Sequence, residues 1–243
     1  MGAVALILEI KNLLKSFGGL VAIKDLHFTV SDGEIIGLIG PNGSGKTTLF
    51  NLISGFLKPD SGGIRFNGGD ITGLKPHRIC RTGIARTFQL TKPFGGMTAL
   101  QNIMVGRMYG AEWGGRVRQA EEECEKILEF VGLGGRGLFF ASSFNIVDRK
   151  RLEIARALAT KPKLLLLDEM MSGLTHTEME EALQLVKTIG HSGITLIVVE
   201  HVMKVILDVS SRLIVLNHGE KIAEGNPQEV VRNEKVIEAY LGE

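Results

Sequence analysis

Residues Gly40-Pro41-Asn42-Gly43-Ser44-Gly45-Lys46-Thr47 have the spacing of a phosphate loop: glycine, four residues, glycine, lysine and a hydroxyl residue. The glycines allow the main chain to wrap around a chain of phosphates with its N–H groups turned inward. A helical apolar pattern begins at Thr48, so a positive helix end adds to the attraction for anions. Gly40 to Thr48 therefore form the expected phosphate-binding set. Lys46 is expected to reach the β- and γ-phosphates of a nucleoside triphosphate, and the Thr47 hydroxyl to help hold Mg²⁺. A second signal lies about 120 residues later. Leu164-Leu165-Leu166-Leu167 is an apolar run of strand length that delivers Asp168 and Glu169 at its end, where sites of α/β proteins lie. Asp168 suits a Mg²⁺ ligand, direct or through water, and Glu169 a base that polarises an attacking water.

These groups need elements to position them. Leu6–Asn12, Ala22–Val30 and Glu34–Ile39 read as strands, with Ser31-Asp32-Gly33 as the turn between the last two. Glu34–Ile39 runs into the glycine loop, and Thr48–Phe56 follows as a helix. The middle of the chain changes period. Apolar residues at Val117, Ala120, Cys124, Ile127, Leu128 and Val131 have helical spacing, with Glu121, Glu122, Glu123 and Glu125 on the solvated face. A further helix is expected over Arg149–Thr160, stopped by Lys161-Pro162. Ile194–Val199 and Leu213–Leu216 are strands, the first buried on both faces as in a parallel sheet. Asn217-His218-Gly219-Glu220 is a turn, and a helix is expected from about Gln228 to Leu241.

Bulk properties narrow the setting. The 243 residues suffice for one large domain or two small ones, long enough to bury a sizeable core. A formal charge of +1 gives no electrostatic reason to expect nucleic acid or an anionic membrane as partner. Cys80 and Cys124 form no CxxC pair, so no disulfide framework or zinc site is expected. The apolar stretch Ala3–Leu8 is too short to span a bilayer, and none approaches the roughly 20 residues of a membrane helix.

With both motifs in place, the chain resembles, over essentially its whole length, the nucleotide-binding subunits of ABC transporters. The resemblance implies an α/β fold: a P-loop NTPase core of ABC type with a small antiparallel β subdomain and an inserted α-helical subdomain. It implies one domain over 1–243, with 1–89 and 163–243 forming core and β subdomain and 90–162 the helical subdomain. It also assigns further roles. Gln89, in Arg86-Thr87-Phe88-Gln89, would contact Mg²⁺ and the attacking water; His201, in Glu200-His201 after the strand Ile194–Val199, would contact the γ-phosphate. Phe17, in Ser16-Phe17-Gly18-Gly19, is the candidate to stack on adenine, against the alternative of a core phenylalanine. The other histidines, His27, His77, His176, His191 and His218, read as surface or turn residues.

More narrowly, Thr87-Phe88-Gln89 with Met97-Thr98, the run Arg151-Leu152-Glu153-Ile154-Ala155-Arg156-Ala157-Leu158-Ala159-Thr160, and the tail Ile237-Glu238-Ala239-Tyr240-Leu241-Gly242-Glu243 resemble the ATPases of branched-chain amino-acid importers. That resemblance implies a second ATPase subunit, identical or different, two membrane permeases and an extracytoplasmic binding protein. It places the chain at the cytoplasmic face of the inner membrane, with ATP and Mg²⁺ bound and no nucleic acid. The permease surface is expected near Gln89 to Gly106.

One motif departs from the family. The signature, usually Leu-Ser-Gly-Gly-Gln, falls on Phe144-Asn145-Ile146-Val147-Asp148. In the family it faces the γ-phosphate held by the other subunit. Val147 is expected to resist a positive φ and to add bulk where glycine is usual, whereas Asn145 can cap the helix that follows. The expectation is an intact phosphate site combined with an impaired contribution to the partner's site. Met170-Met171 and Thr175 are smaller departures, from a usual proline and a usual aspartate or asparagine. Two other functions compete with transport: a non-transport ABC ATPase of DNA repair, chromosome structure or translation, and a regulatory ATP-binding module that hydrolyses weakly.

Overall fold

The computed structural model describes residues 5–88, 92–112 and 115–241. Two sheets share the load. The first is antiparallel, with β1 (Leu6–Phe17) between β2 (Leu20–Ser31) and β4 (Ser61–Phe66), and the short β5 (Gly69–Asp70) at its edge. The second has six strands in the order β10-β9-β3-β8-β7-β6: β3 (Ile35–Ile39), β6 (Ile84–Arg86), β7 (Leu164–Asp168), β8 (Thr195–Val199), β9 (Arg212–Asn217) and β10 (Glu220–Gly225). Its neighbours are parallel except for the β9–β10 pair.

The leucine and valine runs are continuous because both faces of this sheet are covered. Leu164, Leu166, Ile197, Val199, Ile214 and Leu216 join a core with the antiparallel sheet and helix α1 (Lys46–Ile53). Leu165, Leu167, Leu196, Val198, Leu213 and Val215 face a second core containing the middle of the chain. α2 (Pro76–Thr82) precedes β6. Between β6 and β7 the chain forms α3 (Ala99–Tyr109), α4 (Val117–Phe130) and α5 (Ile146–Ala159), which pack on one another. α6 (His176–His191) and α7 (Met203–Val209) follow β7 and β8, and α8 (Pro227–Val230) and α9 (Glu234–Leu241) close the chain.

The architecture is the expected α/β arrangement, with antiparallel sheet and helical insertion; several boundaries differ. β1 does not stop at Asn12. That residue takes φ 46°, bonds through its side chain to Asp25 and marks a register shift, and the strand resumes beyond it. The helix expected from Arg149 starts three residues earlier, because the Asn145 side chain accepts from the Asp148 N–H and caps it. The single helix expected over Gln228–Leu241 is two: the side chain of Asn226 accepts from Gln228 N and that of Asn233 from Lys235 N, starting a helix each time. The turn at His218-Gly219 is as read, with φ of 46° and 80°, matching the primed turns that suit hairpins.

Candidate functional site

The phosphate loop links the end of β3 to α1. Gly40 has φ 149°, and a Cβ there would lie 2.1 Å from the Leu216 carbonyl oxygen. Gly45 has φ 106°, and a Cβ would lie 2.6 Å from the Ala22 carbonyl. Neither position accepts another residue, so two of the motif's glycines are required by backbone geometry. Lys46 is buried, and its ammonium donates to the carbonyls of Gly40 (2.6 Å) and Pro41 (2.8 Å). The lysine is thus held inside the loop that it closes. Ser44 is buried beside it, Thr48 is partly buried, and Asn42, Gly43 and Thr47 are exposed.

β7 lies two strands from β3, with β8 between. Asp168 ends β7 and is buried, its carboxylate paired with the Arg86 guanidinium at 2.8 Å. Its N–H donates to Thr87 Oγ1 at 3.1 Å. Glu169 follows at φ 48°, a left-handed conformation that costs a non-glycine residue about 1–3 kcal/mol. A hydrogen bond from its N–H to the Val199 carbonyl, 2.9 Å, holds the bend. The bend carries the Glu169 side chain to His201 at the end of β8, where Nε2 donates to Oε1 over 2.7 Å. Asp168, Glu169 and His201 are therefore gathered at the C-terminal ends of neighbouring parallel strands, beside the one that enters the phosphate loop.

The donor set near Asp168 fits Mg²⁺. One carboxylate and the Thr47 hydroxyl line the same groove, and both are hard oxygen ligands of the kind a small divalent ion takes alongside phosphates and water. No cluster of three or more His, Cys, Asp or Glu that could hold a metal occurs among the described residues. Gln89 lies outside the described residues.

The remaining expected residues are placed as follows. Phe17 is at the tip of the β1–β2 hairpin, 46% exposed with the Lys15 ammonium 5.4 Å from its ring centre. The core alternative for Phe17 is excluded. His27, His77, His176, His191 and His218 are all exposed. Met170 and Met171 are buried, and Thr175 caps α6 in a reciprocal capping box with Glu178.

The signature stretch requires a correction. Val147 does not occupy a positive-φ position; it lies in the first turn of α5, where a β-branched residue is accommodated. The expected backbone strain is absent, and side-chain size remains as the difference from glycine. Asn145 and Ile146 are exposed, Val147 partly buried. Asp148 points away, paired with Arg136 at 2.8 Å, and that guanidinium also lies over Phe144, 4.6 Å from its ring centre.

Three charged residues escaped the sequence reading. Arg86 binds Asp168 directly. Glu200 is buried behind His201, and burial pushes its carboxyl up to about 7 even though it accepts the Met171 N–H at 2.7 Å. Lys150 on α5 is buried, and desolvation lowers its pKa against the opposing pull of Glu200. Arg86 and Glu200 each adjoin a motif, in Arg86-Thr87-Phe88-Gln89 and Glu200-His201, but only the fold brings their charges inside.

Beside the site a groove of about 720 Å³ runs between the six-stranded sheet and the inserted helices. Phe56, Phe88 and Tyr109 line it and are exposed.

Comparison with known proteins shows the family and the fold. Residues 23–172 match the ABC transporter family, and residues 220–243 match the branched-chain amino acid ATP-binding cassette transporter family. The chain is 36% identical to the high-affinity branched-chain amino acid transport ATP-binding protein BraF of Pseudomonas aeruginosa, with 98% of each chain covered. It is 36% identical to LivG of Escherichia coli K12, again over 98% of each. A probable LivG of Archaeoglobus fulgidus is 38% identical over 97% of this chain and 95% of its own. Among solved structures, a nucleotide-free ATP-binding cassette from an ABC transporter superposes with a TM-score of 0.89 at 34% identity, covering 98% of this chain and 100% of the other. A dimeric bacterial ABC transporter cassette gives 0.77 at 27% identity, over 91% and 99%. Matched in this way along its length, the chain belongs to the ABC transporter family of ATP-binding proteins.

Proposed function

We propose that this chain binds and hydrolyses MgATP as the motor subunit of an importer for branched-chain or related small amino acids and amides. The observation that carries the reading is the convergence of Lys46, Asp168, Glu169 and His201 on three adjacent strand ends. Gly40 to Thr48 wrap the phosphates, with Lys46 turning from the loop carbonyls to the β- and γ-oxygens. Thr47, Asp168 and Gln89 hold Mg²⁺, which when bound neutralises charge on the β- and γ-phosphate oxygens. Glu169 orients the attacking water and accepts its proton, held in line by His201. His201 also reaches the γ-phosphate, and Phe17 offers its exposed ring to adenine.

Transport requires partners. A second ATPase subunit, identical or different, supplies the facing signature residues, here Asn145, Ile146, Val147 and Asp148. Of two permeases, one docks on this chain, in the groove that Phe56, Phe88 and Tyr109 line, and an extracytoplasmic binding protein delivers substrate to the pair. No helix among the described residues is long and apolar enough to cross a membrane, so the chain reaches the cytoplasmic face of the inner membrane through its permeases. Vesicles carrying the chain with its permeases and binding protein should accumulate leucine only when MgATP is inside. ATP hydrolysis without uptake of any branched-chain or small amide substrate would overturn the transport reading.

One observation favours a second reading. Val147 adds bulk at the signature, so the chain can also act as a regulatory ATP-binding module with weak hydrolysis. The same vesicles separate the two readings: ATP binding without turnover in the assembled complex selects the module.

A further inference from the structure

Arg86 ends β6, beside β7 in parallel register, and its side chain is 6% exposed. Its guanidinium joins two parts of the site. One amino group donates to Asp168 Oδ2 at 2.8 Å; the other donates to Asn51 Oδ1 on α1 at 2.6 Å and lies 3.3 Å from Ser54 Oγ, just past the end of that helix. The rings of Phe50 and Phe88 flank it, at 5.4 and 5.2 Å from the central carbon to the ring centres. Its Nε is buried with no acceptor among the described residues. Such a group is fixed by its surroundings rather than resting on a surface.

We propose that Arg86 is a positioning residue that sets the divalent-cation affinity of the ATP site, by orienting the Asp168 carboxylate and competing with the metal for its charge. A guanidinium stays charged at all ordinary pH and presents a rigid fork. Clamped on Oδ2, it leaves the carboxylate its second oxygen as a ligand and fixes where that oxygen points. The carboxylate's charge is already compensated in the protein without metal, so a metal ion gains less by binding there. The proposal rests on Asp168 being the metal carboxylate, so the experiment tests that separately.

The probe is Mn²⁺, followed by electron paramagnetic resonance on the full chain with ATP held saturating. Arg86→Gln keeps a donor toward Asn51 and removes the charge. It should bind Mn²⁺ about tenfold more tightly, within the usual range of coupling between sites. In the absence of metal and nucleotide it should melt several degrees lower, because a buried carboxylate has lost its partner. Arg86→Lys, which restores the charge, should return Mn²⁺ affinity toward that of the native protein. Loss of thermal stability with unchanged or weaker Mn²⁺ binding would make Arg86 a structural residue and overturn the proposal. Mn²⁺ binding indifferent to Asp168→Asn would remove the metal reading and this proposal with it. Should Arg86→Gln not fold, the double variant Arg86→Gln/Asp168→Asn should recover native melting; failure to do so would equally overturn the account.

Discussion

The two ends of an ABC site that one chain can supply are built to different standards here. At Gly40–Thr48 the residue types are dictated by backbone geometry: Gly40 and Gly45 have positive φ and no room for a Cβ, and Lys46 is locked among loop carbonyls. At Asn145–Asp148 the backbone asks for little. The first turn of α5 takes ordinary helical angles, capped by a side chain, so Val147 fits without strain. A motif that makes its own loop tolerates no drift. One that presents a helix end to another subunit can change its side chains and keep its fold. On the proposed reading, the divergence at the signature bears on the partner's site, and the first turn of α5 takes it without backbone strain.

The largest expected effect breaks the comparison at its strong end. Lys46→Ala should lower ATP affinity and turnover by at least about 10²-fold, the size typical for removing a preorganised charged group. Glu169→Gln should lower turnover about as much while leaving ATP bound. Equilibrium binding and phosphate release measured on both variants check this; turnover surviving Glu169→Gln would remove Glu169 as the base.

The next effect belongs to the seam between the two regions, where Glu200 after β8 and Lys150 on α5 are both buried. Burial raises the Glu200 carboxyl to about 7 from an ordinary 4.5. Between those values the folded chain holds a proton that the unfolded chain has released, so this group's stabilising contribution is full below about pH 4.5 and lost as pH rises to about 7. Glu200→Gln keeps an oxygen for the Met171 N–H and cannot ionise. It should stabilise the protein by on the order of 2 kcal/mol at pH 8 and by little at pH 4.5. Denaturant melts at both pH values check the sign; equal effects at the two would show that Glu200 stays ionised when buried.

How far the sequence can be read follows the same division. The phosphate loop, the strand carrying Asp168 and Glu169, and the turn at His218 were legible because each depends on neighbouring residues and on glycine chemistry. Glu169 was legible as a strand-end carboxylate but not as a strained residue, since its φ of 48° goes with a bond to β8. Arg86 stood inside a quoted motif, yet its pairing with Asp168 spans 82 positions, and only the β6–β7 register creates it. The helix at Ile146 was expected three residues late, although Asn145 was read as able to cap it. At Val147 local steric reasoning misled: the glycine usual in the family's motif was taken as a sign of positive φ, where the helix needs none.

The comparison sharpens at Val147. If only size distinguishes it from glycine, Val147→Gly should raise ATP turnover of the assembled complex several-fold. The isolated chain should lose no more than about 1 kcal/mol for glycine in a helical turn. Steady-state hydrolysis of the complex against that of the isolated subunit decides this. A gain confined to the complex places the defect at the partner's site, and no gain leaves Val147 neutral.

The smallest effect isolates the cap. The Asn145 side chain satisfies the Asp148 N–H at 2.8 Å from an exposed position, so Asn145→Ala should cost about 1 kcal/mol. Thr is a better test than Ala for function, because Asn145→Thr retains an oxygen able to cap while removing the amide's second donor. If Asn145 serves only α5, the Thr variant should regain most of the stability and match native turnover in the complex. If its amide also hydrogen-bonds the phosphate held by the partner, stability returns and turnover does not. Chemical denaturation read beside hydrolysis of the complex separates these outcomes, and the second would mean that the divergent signature has kept one working contact with the other subunit's nucleotide.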